Sequence, residues 1–353
     1  MALQASGLND LLKATLESIP KLKMTDITSH LQKHIALSML MKGSKVVTEP
    51  AGTSFKFDVM TRNSGSARYV GLGAQDVVGI EDVLTRGEVE FRHVTWNWSI
   101  VHQEVSMNAD PLTILNLTKV RRLDALISAT ELFESKFWRV PASTNTTDPF
   151  GIPYWIVKNA TEGFYGQLPS GYTTVAGITP SSHLQPDGRS KWANWTFQYT
   201  AVTREDLLRK WRKAATYTDF DTPVPDMQTF DTGEACGYYT VYDVVSELVE
   251  ILQTNNDNLG SDLAKFHNSV MFMNKSVVEV PALRDDTTNP IYGIPWGEFH
   301  THKLRGEWMR ETVVPVTAGQ HNLATTHTDC THNWAMRNRR KAFVGATGTT
   351  LPA

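Results

Sequence analysis

Cysteine is scarce in this chain. Cys236 and Cys330 are the only two in 353 residues, which is no disulfide framework, so the fold must close on packing alone and assembly in a reducing cytosol fits. Long apolar runs are missing too. None approaches the ~20 residues that a membrane helix needs, and the N-terminus Met1-Ala-Leu-Gln has neither the basic region nor the apolar stretch of a signal peptide. Charge of one sign is not in excess: 34 Lys and Arg against 37 Asp and Glu leave −3, so there is no overall electrostatic case for nucleic acid or membrane. Asn-x-Ser/Thr triplets at Asn116, Asn145, Asn159, Asn194 and Asn274 then read as chance.

Catalytic signatures are equally sparse. There is no C-x-x-C, no H-E-x-x-H and no G-x-S-x-G. Gly71-Leu-Gly73-Ala-Gln-Asp does not complete a dinucleotide fingerprint. Histidines gather late, at His300, His302, His321, His327 and His332 around Cys330. His327 and Cys330 are three apart on an expected strand and so face opposite sides, which disfavours zinc. Asp285-Asp286 falls in a turn-like stretch, where solvation is the default. No metal or cofactor is expected.

What is present is a long aromatic strand followed by a long helix. Val94, Trp96, Trp98 and Ile100 alternate with polar residues at period 2. Val89 and Phe91 sit on the other parity, which predicts a bulge or sharp twist near His93. Asp110 and Pro111 then open a helix of about 27 residues, with Leu112, Leu115, Leu123, Ile127, Thr130, Phe133 and Phe137 at helical spacing as its buried stripe. At ~1.5 Å per residue that helix is ~40 Å long.

Before it, 8–19 and 25–41 read as helices, either an arm on a neighbouring subunit or a pair covering their own core. Residues 45–107 read as a two-stranded finger whose tip, 61–87, is rich in glycine and poor in core formers. After the long helix come a linker of turn formers (141–149), a short strand over 151–157, a helix over 204–217 capped by Thr203, and a second helix from Thr240 or Asp243. Strands follow near 270 and 276. The closing segment is polar and β-rich. Arg204, Arg209, Lys210, Arg212 and Lys213 share one face of the 204–217 helix, where phosphate binding, a subunit contact and plain solvation all remain open. Arg337-Asn-Arg-Arg-Lys341 suits either a nucleic-acid backbone or an inter-subunit salt-bridge cluster.

The order of these elements, with Asn289-Pro-Ile-Tyr-Gly-Ile-Pro-Trp-Gly, Gly306-Glu-Trp-Met-Arg-Glu and Asn333-Trp-Ala-Met-Arg-Asn-Arg-Arg, resembles the major capsid proteins of tailed bacteriophages. The resemblance implies an α+β, Hong Kong 97-like capsid fold: an N-terminal helical arm (1–48), an extended β-hairpin loop (49–108), a peripheral domain (109–150 and 289–353) with a spine helix (110–138), and an axial domain (151–288). It implies a structural protein, not an enzyme, that forms hexamers and pentamers and closes them into an icosahedral head around double-stranded DNA, held by non-specific contact. Portal, scaffolding and decoration proteins are its implied partners, with no membrane. The implied location is the virion, after assembly in the host cytoplasm. A retained Met1 and a short arm imply a separate scaffolding protein where one is used. Lys56 is the finger's only lysine and sits near its base, so the lysine–asparagine cross-link of some members is not expected. Candidate inter-subunit contacts are Arg62, Arg68, Asp76, Glu81, Asp82, Arg86, Arg337, Arg339, Arg340 and Lys341. The alternative is an enzyme with a pocket between the central α+β region and the His-rich return.

Overall fold

The computed structural model describes residues 31, 33–40, 45–63, 65, 67–72, 82–107, 111–185, 187–219, 236–254, 270–314 and 322–348. The helix expected over 8–19, the cap at Asp110, and Asp76, Glu81 and His321 lie outside them.

Helix α1 (Ile35–Leu40) leads to strand β1 (Val46–Glu49) and a hairpin of β2 (Ser54–Met60) with β3 (Leu84–Glu90). Phe55, Phe57 and Val89 are buried at the base of the hairpin while Lys56, Asp58 and Glu88 are exposed, the alternation of a half-covered ribbon. The continuous strand expected up to Val101 breaks at Phe91. β3 stays with β2, whereas β4 (Arg92–Val101) pairs with β13 (Leu323–Met336) in a separate sheet. The parity slip therefore marks a change of partner, not a bulge at His93. The finger spans 54–90, shorter than expected.

That first sheet runs β1-β11-β13-β12, with β11 (Phe299–Leu304) and β12 (Arg310–Val314). β13 is its shared member: β4 covers residues 323–332 on one edge, while β12 and then β11 follow along the other. β4 continues through α2 (His102–Met107) towards the long helix α3 (Pro111–Phe137). The helix lies on the face that carries the even-numbered residues of β4 and β13, where the Phe133 ring meets Trp96 edge-on at 6.1 Å and His332 at 5.0 Å.

Ala125, Ala129, Phe133 and Phe137 form the buried seam of α3. Small residues at two of the four positions let the helix approach the sheet closely. Leu123 is 40% exposed and Leu126 44%, so Leu123 does not belong to the buried stripe. Leucines occur on both sides of this helix, and spacing alone does not say which side faces the sheet.

The second sheet has the order β5 (Gly163–Gly166), β6 (Asn194–Tyr199), β14 (Phe343–Thr347), β10 (Ile291–Ile294), β7 (Gly237–Thr240), β9 (Lys275–Glu279), β8 (Val270–Phe272). The strand expected over 151–157 is instead a single helical turn, α4 (Ile152–Trp155), with Pro153 in its first turn, a position that proline tolerates. Gly151 sits so close to the end of α3 that a Cβ there would lie 2.3 Å from the Arg139 carbonyl. Helices α5 (Arg209–Thr218) and α6 (Tyr242–Thr254) pack on this sheet, with Trp211 of α5 against Phe272 at 4.5 Å and Tyr238 at 5.2 Å.

The two sheets meet at a cluster of rings. Phe137 packs on Trp138, Phe299, Trp334 and Trp296, with Trp334 at 5.1 Å and Phe299 at 5.4 Å. The Trp296 indole N–H donates to the Tyr239 hydroxyl at 2.7 Å. Where the enzyme alternative needs a pocket, the described residues place packed aromatic side chains.

Candidate functional site

The histidines do not converge. His300 and His302 share one face of β11, where the Phe55 ring stacks on His302 at 3.9 Å. His332 lies on the opposite face of the sheet, under α3 and against Trp334. Burial, helped by the nearby cations Arg337 and Lys45, pulls the His300 pKa down to about 4. Burial alone pulls His332 to about 4. His302 is also lowered by burial, although Glu49 opposes the shift. A neutral His302 donates from Nδ1 to Glu49 Oε1 at 3.0 Å, which ties β11 to β1. Among the described residues no three His, Cys, Asp or Glu side chains sit close enough together to hold a metal ion. His300, His302 and His332 are therefore buried rings that are neutral at neutral pH.

The basic run after β13 turns inward. Arg339 is 0% exposed. Its guanidinium donates to the carbonyls of Trp155 at 2.7 Å, Trp192 and Gly166 at 2.9 Å and Gln167 at 3.0 Å. Burial pulls its pKa down to about 9, which still leaves it charged at neutral pH. Arg339 thus holds four backbone carbonyls inside its own protomer, at the ends of α4 and β5 and in the loops after β5 and before β6, and is not a surface a neighbour can reach. The rigid fork of arginine explains the choice, since lysine cannot serve divergent acceptors in one plane. Arg340 lies over the Phe164 ring at 4.7 Å, Lys341 pairs with Glu298 at 3.4 Å, and Arg337 is half-buried near Glu298 and Glu49. These three also have partners within the protomer.

The hairpin carries the remaining candidates. Arg86 pairs with Asp58 across the ribbon at 2.9 Å, and Lys56 with Glu88 at 3.7 Å. Arg62, Arg68 and Asp82 are exposed beyond the last paired positions, Met60 and Leu84. Tyr69 and Leu72 are fully exposed, and Val70, Met60 and Leu84 largely so. Apolar side chains held out on a ribbon tip suit an interface better than solvent.

Glu134 is a residue that the sequence reading did not single out, and it is buried. Its side chain is enclosed between α3 and α1. One oxygen accepts the backbone N–H of Ile35 at 3.1 Å and the Trp138 indole N–H at 2.9 Å, and the other accepts Leu37 N–H at 3.0 Å. The signal was the pair Glu134 and Trp138, one turn apart on the same face.

No family model and no curated protein matches the chain. Solved structures do, over nearly its whole length. A subunit of the cyanophage A-1(L) capsid asymmetric unit aligns with 92% of this chain and 95% of its own at 12% identity and a TM-score of 0.57. The capsid of the native GTA particle aligns over 94% and 96% at 11% identity and 0.56. The capsid of cyanophage P-SCSP1u aligns over 94% and 93% at 14% identity and 0.50. The α+β architecture is thus that of phage capsid subunits, the Hong Kong 97-like fold.

Proposed function

We propose that this chain is the major capsid protein of a tailed bacteriophage. In this reading it assembles with itself into hexamers and pentamers, and these close into an icosahedral head around double-stranded DNA. The observation that carries the reading is the likeness of fold over 92% and 94% of the chain. The hairpin supports it physically. Its exposed apolar tip and charged flanks gain burial only against another molecule, and a repeated interface sums weak contacts into a stable shell. Arg62, Arg68, Asp82 and Arg86 are its proposed contacts with neighbouring subunits. Portal, scaffolding and decoration proteins are proposed partners. The role is structural and non-enzymatic, within the virion, after assembly in the host cytoplasm.

The test removes the tip. Met60 and Leu84 are paired across the ribbon, so replacing residues 61–83 with Asn-Gly leaves a two-residue turn of the favoured geometry. The variant is expected to keep a near-native circular dichroism spectrum and to form no shells under electron microscopy. Normal particles from this variant would remove the hairpin from assembly and overturn the reading.

A further inference from the structure

The outer face of α5 is left unexplained by the fold. Between 204 and 217 lie Arg204, Arg209, Lys210, Arg212 and Lys213 against only Glu205 and Asp206, in a chain whose net charge is negative. Two of these cations are satisfied internally. Lys210 pairs with Asp206 and donates to the Gln198 carbonyl at 2.8 Å, and Lys213 pairs with Glu162. Arg204, Arg209 and Arg212 are exposed, and among the described residues none of the three guanidinium groups has an ion pair or hydrogen bond.

The local backbone groups them. Residues 204–208 form a π-helical turn, closed by the Leu208 N–H donating to the Thr203 carbonyl at 3.1 Å. That wide turn sets Arg204 and Arg209 about one turn apart, and Arg212 follows at the next i+3 position. The three span ~12 Å along the helix, over which one strand of a DNA duplex presents three or four phosphates. The inner side is rigid: Trp211 is fully buried, and Tyr217, at the far end, lies flat on Trp195 at 4.9 Å with the rings 9° apart. Trp195 in turn meets Phe164, over whose ring Arg340 lies.

We infer that Arg204, Arg209 and Arg212 form a binding face for the phosphate backbone of double-stranded DNA, without regard to base sequence. Three guanidinium groups without a partner among the described residues match a row of phosphates, which need only positive charge and N–H donors. The inference rests on the capsid reading for the source of the DNA, but the binding belongs to the dissolved protein.

The test uses the full-length protein, a 30-base-pair duplex of mixed sequence, and fluorescence anisotropy across a salt series. The wild type is expected to bind with a log–log salt slope of roughly −3, about −0.9 for each phosphate engaged. The Arg204→Gln/Arg209→Gln/Arg212→Gln variant is expected to melt as the wild type does and form the same particles. Its slope should be shallower by about one unit per arginine removed. An unchanged slope in that variant overturns the inference. So does arginine-dependent binding of poly-L-glutamate with no binding of the duplex, which would mark an acidic protein as the partner. Wild-type shells without duplex binding overturn this inference and leave the capsid reading standing. Duplex binding by a wild type that never forms shells does the reverse.

Discussion

Glu134 accepts the backbone N–H of Ala36 at 3.0 Å, across 98 residues of chain. With Ile35 and Leu37 it takes up three of the N–H groups that a helix start leaves unpaired. One carboxylate of the long helix thereby fixes the first turn of α1 to its own protomer. Glu134→Ala is expected to lower stability by about 2–4 kcal/mol, the loss of several charge-assisted bonds in a buried site. Hydrogen exchange should accelerate at residues 35–37 while the sheet amides stay protected. Unchanged exchange there would mean that other contacts hold the segment.

Arg339→Lys keeps the charge but not the fork. A lysine reaches one or two of the four carbonyls and leaves the others buried without a donor. The expected cost is about 3–5 kcal/mol, read from the shift of the denaturant midpoint. A shift of less than about 1 kcal/mol, within the range of an ordinary surface substitution, would refute the assignment of this residue as the anchor of the 155–194 loops.

Acid should destabilise the protomer in a defined window. His300 and His332 titrate near 4 when folded and near 6.5 when unfolded, so between these values the unfolded chain binds more protons. Stability is complete above pH ~6.5 and falls as pH drops towards 4, by up to ~1.4 kcal/mol per pH unit for each ring. His332→Phe, in a site where neither ring nitrogen has a hydrogen-bond partner, should flatten part of this slope between pH 6.5 and 4.5. A variant that loses stability on acidification as steeply as the wild type would exclude His332 as a contributor.

Two substitutions on the long helix should separate folding from assembly. Phe133→Asp places a charge between Trp96 and His332 and is expected to prevent folding. Leu123→Asp lies on the open side and should change stability by no more than about 0.5 kcal/mol, yet block shell formation if that side meets a neighbour. Calorimetry on the soluble subunit reads the first effect, and microscopy of assembly reactions reads the second. A Leu123→Asp chain that cannot fold would restore that leucine to the buried stripe.

The sequence was most legible where one physical rule dominates. The long helix, its Pro111 start and the Thr203 cap, whose hydroxyl accepts the Asp206 N–H at 3.2 Å, all follow from local backbone chemistry. The strands expected near 270 and 276 are found as β8 and β9. Errors arose where a partner distant in sequence decides. Whether β4 stays with the hairpin or joins β13 depends on residues more than 200 positions away. The inward turn of Arg339 depends on carbonyls contributed by Trp155, Gly166, Gln167 and Trp192, all more than 140 positions away. In α3, Leu123 and Ala125 are both acceptable helix formers, and only the sheet beneath chooses between their sides.

β13 has a mechanical consequence. This 14-residue strand is bonded along both edges in the first sheet, and within seven residues the chain enters the second sheet as β14. The turn between them is anchored by Arg339, and the ring cluster around Phe137 fills the space alongside. The strand therefore behaves as an axle: torque applied to one sheet reaches the other with little slack. Among the described residues, the turn from β13 to β14 is therefore not a soft joint between the two sheets. Strain introduced in one sheet is shared with the other instead of being relieved at the turn between them.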